Sequence, residues 1–282
     1  DKAPKLPDEV EHHKPDYHLY DDWVREQVAN GKNSAEFSYY TEYSIGFLTR
    51  GCFRHCDFCV NRNYNRVQMH SPLFEFYDES RPKICLLDDN FFGCPNWRML
   101  LEILQATGRP FQFKQGLDER LLTDEKCEVL FRSNYDGDYI FAFDNIADMP
   151  LIEDKLKLIR KYTNAVPKFY CFCGFDRADK WDADFWRQDI IDLFRRIELL
   201  MKYHCLPYIM RFNRYTESPY RGMYITIARW CNQPGFFKKK SLREFALANG
   251  EKSSAMRYLT VFERAVPEAA IYSDMKFNEV SQ

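Results

Sequence analysis

The sequence predicts an α/β protein, arranged as a partial (β/α)6 TIM-like barrel with a C-terminal helical extension. Three observations lead there. Short runs of β-branched, aromatic and aliphatic residues recur six times from Tyr43 onward. Longer stretches with apolar residues at helical spacing lie between them. Such alternation calls for crossover connections and therefore for parallel strands. Six units in about 170 residues suit the partial barrel, and a doubly wound open sheet is the other arrangement that the alternation allows.

The strand runs are Tyr43–Thr49, Lys83–Asp89, Phe111–Gly116, Tyr139–Asp144, Lys168–Gly174 and Leu206–Phe212. Between them, Asn96–Thr107 carries a helical stripe and stops at Gly108, and Asp124–Arg132 follows Thr123, a good N-cap. Asp148–Tyr162 and Asp184–Tyr203 set Leu, Ile and Phe on one side and charges on the other. The tail, with Met223–Asn232, Ser241–Asn249 and Ser254–Ala265, reads as three further helices. The opening, residues 1–40, is rich in proline and charge and reads as an extended lead-in or linker. The expected organisation is thus a lead-in over 1–40, a barrel over 41–215 and a helical extension over 216–282.

Composition narrows the classes. The 282 residues suffice for a large core, and 17% aromatics favour an aromatic-lined interior. No run of about 18 apolar residues exists, so no membrane partner is expected. Ten cysteines in a long, core-rich chain fit a reducing, cytoplasmic setting, with some thiols as metal ligands and the rest buried. Net charge is −2, yet Cys205–Phe245 holds eight Lys and Arg against two acids and is therefore +6. That asymmetry suits an anionic substrate, although a solvated basic face is the commoner cause. Within it, Gln233–Phe245 (QPGFFKKKSLREF) combines a Pro-Gly turn, two aromatics and three lysines, which allows either a nucleic-acid or phosphate contact or, more commonly, an amphipathic helix start with a solvated basic end.

The chemistry concentrates in Gly51–Asn63, GCFRHCDFCVNRN, directly after the first strand. Cys52, Cys56 and Cys59 stand at C-x3-C-x2-C. A structural zinc site wants four ligands, usually two separated C-x2-C pairs, and no second pair follows. An iron–sulfur cluster with three protein ligands leaves one iron open for something else. The loop resembles the signature of the radical S-adenosylmethionine (SAM) superfamily, C-x3-C-x-aromatic-C after the first barrel strand, with Phe58 in the aromatic position. Its style is nearest to cobalamin-linked and methylthiotransferase-like members.

The resemblance implies that Cys52, Cys56 and Cys59 hold a [4Fe–4S] cluster, that its open iron chelates SAM, and that Phe58 lies near the adenine. It implies reductive cleavage of SAM to a 5′-deoxyadenosyl radical that abstracts hydrogen from substrate, with electrons from a donor such as flavodoxin or ferredoxin. Asp88, Asp89 and Asn90, after the second strand, stand where the family binds the SAM amino group. Gln115 and Arg120 end the third strand, Asp144 the fourth and Arg177 the fifth, giving a polar barrel mouth. By the same resemblance Asp144 meets the ribose, and Arg120 or Arg177 pairs with the SAM carboxylate. The lead-in resembles the segment that follows an upstream cobalamin-binding Rossmann-like domain, so cobalamin is implied only where such a domain exists. The other cysteines carry no compact second motif and read as buried thiols. The substrate is left open, with a nucleic acid or nucleotide slightly ahead of a peptide or metabolite. A cluster- or SAM-binding sensor or scaffold without turnover is the alternative class.

Overall fold

The computed structural model describes residues 6–61 and 63–279. Two compact units divide the chain, Asp1–Tyr139 and Ile140–Gln282.

In the first unit, strands β1 (Tyr43–Gly46), β2 (Lys83–Leu86) and β3 (Phe111–Phe113) form a parallel sheet in that order. Tyr43 pairs with Lys83 and Gly46 with Leu86, while Ile84 pairs with Phe111. Ile84, Cys85, Leu86, Phe111 and Phe113 are all buried, the run of apolar residues that a strand covered on both faces requires. Helices Trp97–Ala106 and Asp124–Arg132 follow β2 and β3. The second starts where expected because the Thr123 hydroxyl accepts from the Lys126 amide.

The lead-in is not merely extended. It contains a nine-residue helix, Asp21–Ala29, whose first turn carries Asp21 and Asp22, favourable beside the exposed N–H groups of a helix start. Only Val24 of this helix is buried; Val28 stands at helical spacing from it, but Val28 and Trp23, its other large apolar residues, are exposed, so the helix contributes little to the core. Tyr17 fixes the lead-in to the sheet: its hydroxyl donates to Phe76 O at 2.7 Å and accepts from the Ile45 amide at 2.7 Å.

In the second unit, β4 (Ile140–Ala142), β5 (Lys168–Cys173) and β6 (Leu206–Arg211) form another parallel sheet in that order, with Ile140 opposite Lys168 and Lys168 opposite Leu206. Helices Met149–Tyr162 and Ala183–Lys202 link these strands. The tail forms helices Arg221–Cys231, Leu242–Ala248 and Ser254–Ala265. Asn232 binds this extension to β6, accepting from the Ile209 amide at 2.7 Å and donating to Ile209 O at 3.1 Å.

All six predicted strands are therefore present and parallel, in two sheets of three, and the fold is mixed α/β. No closed barrel is found among the described residues. β1, β2 and β3 each end three residues before their sequence runs do, β4 two before, and β5 and β6 one before, as the chain leaves the sheet for the loops that follow. Among the described residues no helix is long and apolar enough to cross a membrane. Cys85, Cys94, Cys127, Cys171, Cys173, Cys205 and Cys231 are buried, as expected of packing thiols.

Candidate functional site

The cysteine loop is closed at its base by a small ribbon in which Thr49–Arg50 pairs antiparallel with Gln68–Met69. Gly51 makes the turn into the loop at φ +95°, and a Cβ there would lie 2.4 Å from Arg66 O. Glycine is thus demanded by backbone conformation and by space at once. On the other side, a Cβ at Gly93 would lie 2.8 Å from both Phe53 and Val67, so the segment after β2 packs tightly against the loop.

That segment, Asp88-Asp89-Asn90, is the loop's scaffold. Asp88 is 1% exposed, and its carboxylate accepts from the Leu48 amide at 3.3 Å and from the Thr49 amide and hydroxyl at 2.6 Å each. Burial pushes its carboxyl up to about 6, against the opposing pull of those donors. Asp89 spans the cysteines, accepting from the Gly51 amide at 3.1 Å and from Asn61 Nδ2 at 2.7 Å. Asn90, also buried, donates from Nδ2 to Cys52 Sγ at 3.3 Å and to Asp118 Oδ2 at 3.4 Å. Both partners are acceptors, which fixes the orientation of the amide. Its Oδ1 is buried with no hydrogen-bond partner. An orphaned buried acceptor costs about 1–3 kcal/mol and is the mark of a place where a donor is missing.

Asp118 gathers the cations of the site. Arg54 Nε donates to its Oδ2 at 2.8 Å and Arg120 Nε to its Oδ1 at 2.7 Å. Burial raises the Asp118 carboxyl, but the two guanidinium groups outweigh it and hold the group below the usual carboxylate range. The loop's own amides are directed at sulfur: Arg54 N donates to Cys52 Sγ at 3.3 Å and Asn61 N to Cys59 Sγ at 3.4 Å. Cys52, Cys56, Phe58 and Cys59 are all half-buried.

Of the predicted site residues, the structure brings Cys52, Asn90 and Arg120 into one network through Asp118, with Asp88 and Asp89 holding its backbone. Gln115 is exposed. Asp144 and Arg177 belong to the second unit. There Asp144 Oδ1 accepts from the Phe172 amide at 2.9 Å, which ties the end of β4 to β5, and Arg177 is exposed. Sequence reasoning passed over Arg54 and Asn61. Arg54 lies inside the cysteine motif and Asn61 just beyond it, and a polar residue two positions after a cysteine was the available signal.

The donor set of the loop is sulfur alone, the ligand chemistry that soft metals and iron–sulfur clusters take. Three thiols stand in one loop, and amide donors reach two of their sulfurs, an arrangement that stabilises thiolate ligands. The thiols are not gathered around a ready-made ion position: among the described residues no group of three His, Cys, Asp or Glu side chains is placed to hold a metal. No protein-family model and no curated protein matches this chain.

Proposed function

We propose that the chain is a radical SAM enzyme in which Cys52, Cys56 and Cys59 ligate a [4Fe–4S] cluster. The observation that carries this reading is the three-cysteine loop after the first parallel strand, backed by the buried and unpartnered Oδ1 of Asn90. A cluster held by Cys52, Cys56 and Cys59 would supply the one-electron reduction, fed by an external reductant, that cleaves SAM to methionine and a 5′-deoxyadenosyl radical for hydrogen abstraction from a substrate. The chain's own residues do the holding. Asp89 and Asp88 fix the two flanks of the loop, and Asn90 Oδ1 offers the acceptor that an ammonium group of SAM needs. Asp118 keeps Arg54 and Arg120 beside the cysteines as a positive flank for a carboxylate. Gathering the thiols is coupled to cluster assembly, as metal binding and local folding commonly are. On this reading the six parallel strands are those of a partial (β/α)6 barrel.

Anaerobic reconstitution with iron and sulfide, followed by SAM and dithionite, tests it. The expected result is a brown protein with about four irons per chain that releases 5′-deoxyadenosine, both lost in Cys56→Ala. A stable cluster with no SAM cleavage would favour a binding scaffold. A colourless protein that takes zinc and refuses iron would overturn the reading.

A further inference from the structure

Helix Arg221–Cys231 buries nearly all of its residues and shows solvent one stripe, Arg221, Ile225 and Arg229, of which both arginines are exposed. Four-residue steps keep these side chains on one face, and the arginines stand ~12 Å apart along the axis. The stripe leads into a rigid basic turn. Trp230 and Phe237 are fully buried with ring centroids 4.8 Å apart, and Trp230 Nε1 donates to Lys240 O at 2.9 Å. Those anchors send the neighbouring Phe236 outward, where it is 42% exposed. Buried Phe245 ties the two features together, with the Phe236 ring 5.4 Å and the Arg229 guanidinium 6.0 Å from its ring. Lys238 and Lys239 follow in the turn, both exposed.

The charge of this surface is unanswered. Among the described residues none of Arg221, Arg229, Lys238 and Lys239 takes part in an ion pair, and no acid occurs between Ser218 and Arg243. Glu244, the next acid, is engaged by Lys276 Nζ at 2.7 Å and by the Ser241 amide at 3.0 Å. Two other cations of the tail are paired: Arg243 lies on Glu263 at 2.7 Å and on Asp274 at 2.8 Å, and Lys276 takes Glu244.

We infer that this surface binds single-stranded nucleic acid, the four cations tracking the phosphates and Phe236 stacking on a base. Unpaired cations flanking an exposed ring are the combination that such strands require, because phosphates supply the charge and every base supplies a π-face. An acidic polypeptide would satisfy the cations and leave the ring without a planar partner. All of these residues lie in the second unit, so the inference stands apart from the cofactor reading. Iron content and 5′-deoxyadenosine report on one, strand binding on the other.

The test is fluorescence anisotropy of a fluorescein-labelled 20-mer of deoxythymidine with the full chain, across 25–200 mM NaCl. Four phosphate contacts set a slope of log K against log salt of about −3. Lys238→Ala with Lys239→Ala should bring that slope to about −1.4. Phe236→Ala should weaken binding about 5- to 100-fold and leave the slope unchanged, which a general loss of fold would not do. Absence of salt-dependent binding, or variants that bind like the parent, overturns the inference. So does a labelled poly-glutamate peptide that binds as tightly and is indifferent to Phe236, an outcome that assigns the surface to an acidic protein partner.

Discussion

Asp89 accepts a hydrogen bond from the Gly51 amide at 3.1 Å, so the turn that opens the cysteine loop hangs from the segment that follows β2. The same carboxylate takes Asn61 Nδ2 at 2.7 Å, beyond the last cysteine. One side chain therefore sets both flanks of a loop that has only a two-residue ribbon at its base. For this reason Asp89→Ala should lower iron uptake on reconstitution several-fold while costing the fold only about 1–2 kcal/mol. Iron per chain and a urea midpoint measure the two effects separately. Unchanged iron uptake would remove Asp89 from the loop's support. Asn61→Ala, which deletes one of the two tethers, should give an intermediate loss.

A second expectation concerns Asp118. Its carboxylate is nearly buried, while the Arg54 and Arg120 side chains are about a third and a fifth exposed. Removing the shared partner takes the counter-charge from Arg54 and the nearer one from Arg120, which still has Glu119 at 4.0 Å, and the exposure of the two side chains moderates the cost. Asp118→Asn should destabilise by about 1–3 kcal/mol at neutral pH. Denaturant melts at pH 7 check this, and a change below about 0.5 kcal/mol would mean that water solvates both arginines equally well.

Much of this was legible from residues and spacing, for reasons that particular residues show. Helix Asp124–Arg132 has the predicted limits because its N-cap and its apolar stripe are both local signals. The strands announced themselves through buried runs such as Ile84, Cys85 and Leu86. What stayed hidden depends on partners remote in sequence. Asp88 meets Thr49 and Asp89 meets Gly51 across nearly forty residues, and no periodicity reports such a contact. Read as sequence, the two carboxylates look alike as candidates for an ammonium, whereas in the fold both are occupied and the open acceptor is the neutral Asn90. Helix Asp21–Ala29 is short, and its few large apolar residues, Trp23, Val24 and Val28, follow a stretch whose prolines and charges dominate the reading of the lead-in.

Gly51 gives a sharp steric prediction. At φ +95° with Arg66 O only 2.4 Å from a Cβ position, Gly51→Ala meets backbone that cannot swing aside. Strain and overlap together should cost about 2–4 kcal/mol. Gly235 is the control, since its backbone is not left-handed and nothing lies within 4 Å of a Cβ there. Gly235→Ala should stay within about 0.5 kcal/mol of the parent or gain slightly. Thermal melts of the two variants side by side decide it, and equal losses would refute the steric account.

Asp88 and Asp118 titrate with opposite signs, which yields the last prediction. The folded-state carboxyl of Asp88 is raised to about 6 by burial, above an unfolded value of about 3.9. Folding therefore favours its protonated form, and its contribution is fully present below about pH 4 and lost as pH rises through about 6. The Asp118 carboxyl is lowered, against its burial, by Arg120 and Arg54, so its contribution is present above the unfolded value and lost as pH falls through its lower folded value. The two together favour the range near pH 4–5. In urea melts from pH 3.5 to 7.5, the stability difference between Asp88→Asn and the parent should shrink as pH rises, by up to about 3 kcal/mol across the span. The amide has a single acceptor oxygen, so it keeps the Thr49 donors and sets its NH2 against the Leu48 amide, which makes the variant weaker at pH 4. Asp118→Asn should show the reverse trend, its deficit shrinking only below pH 4. A pH-independent deficit in Asp88→Asn would mean that the carboxylate ionises freely in its buried position, held by its three donors alone.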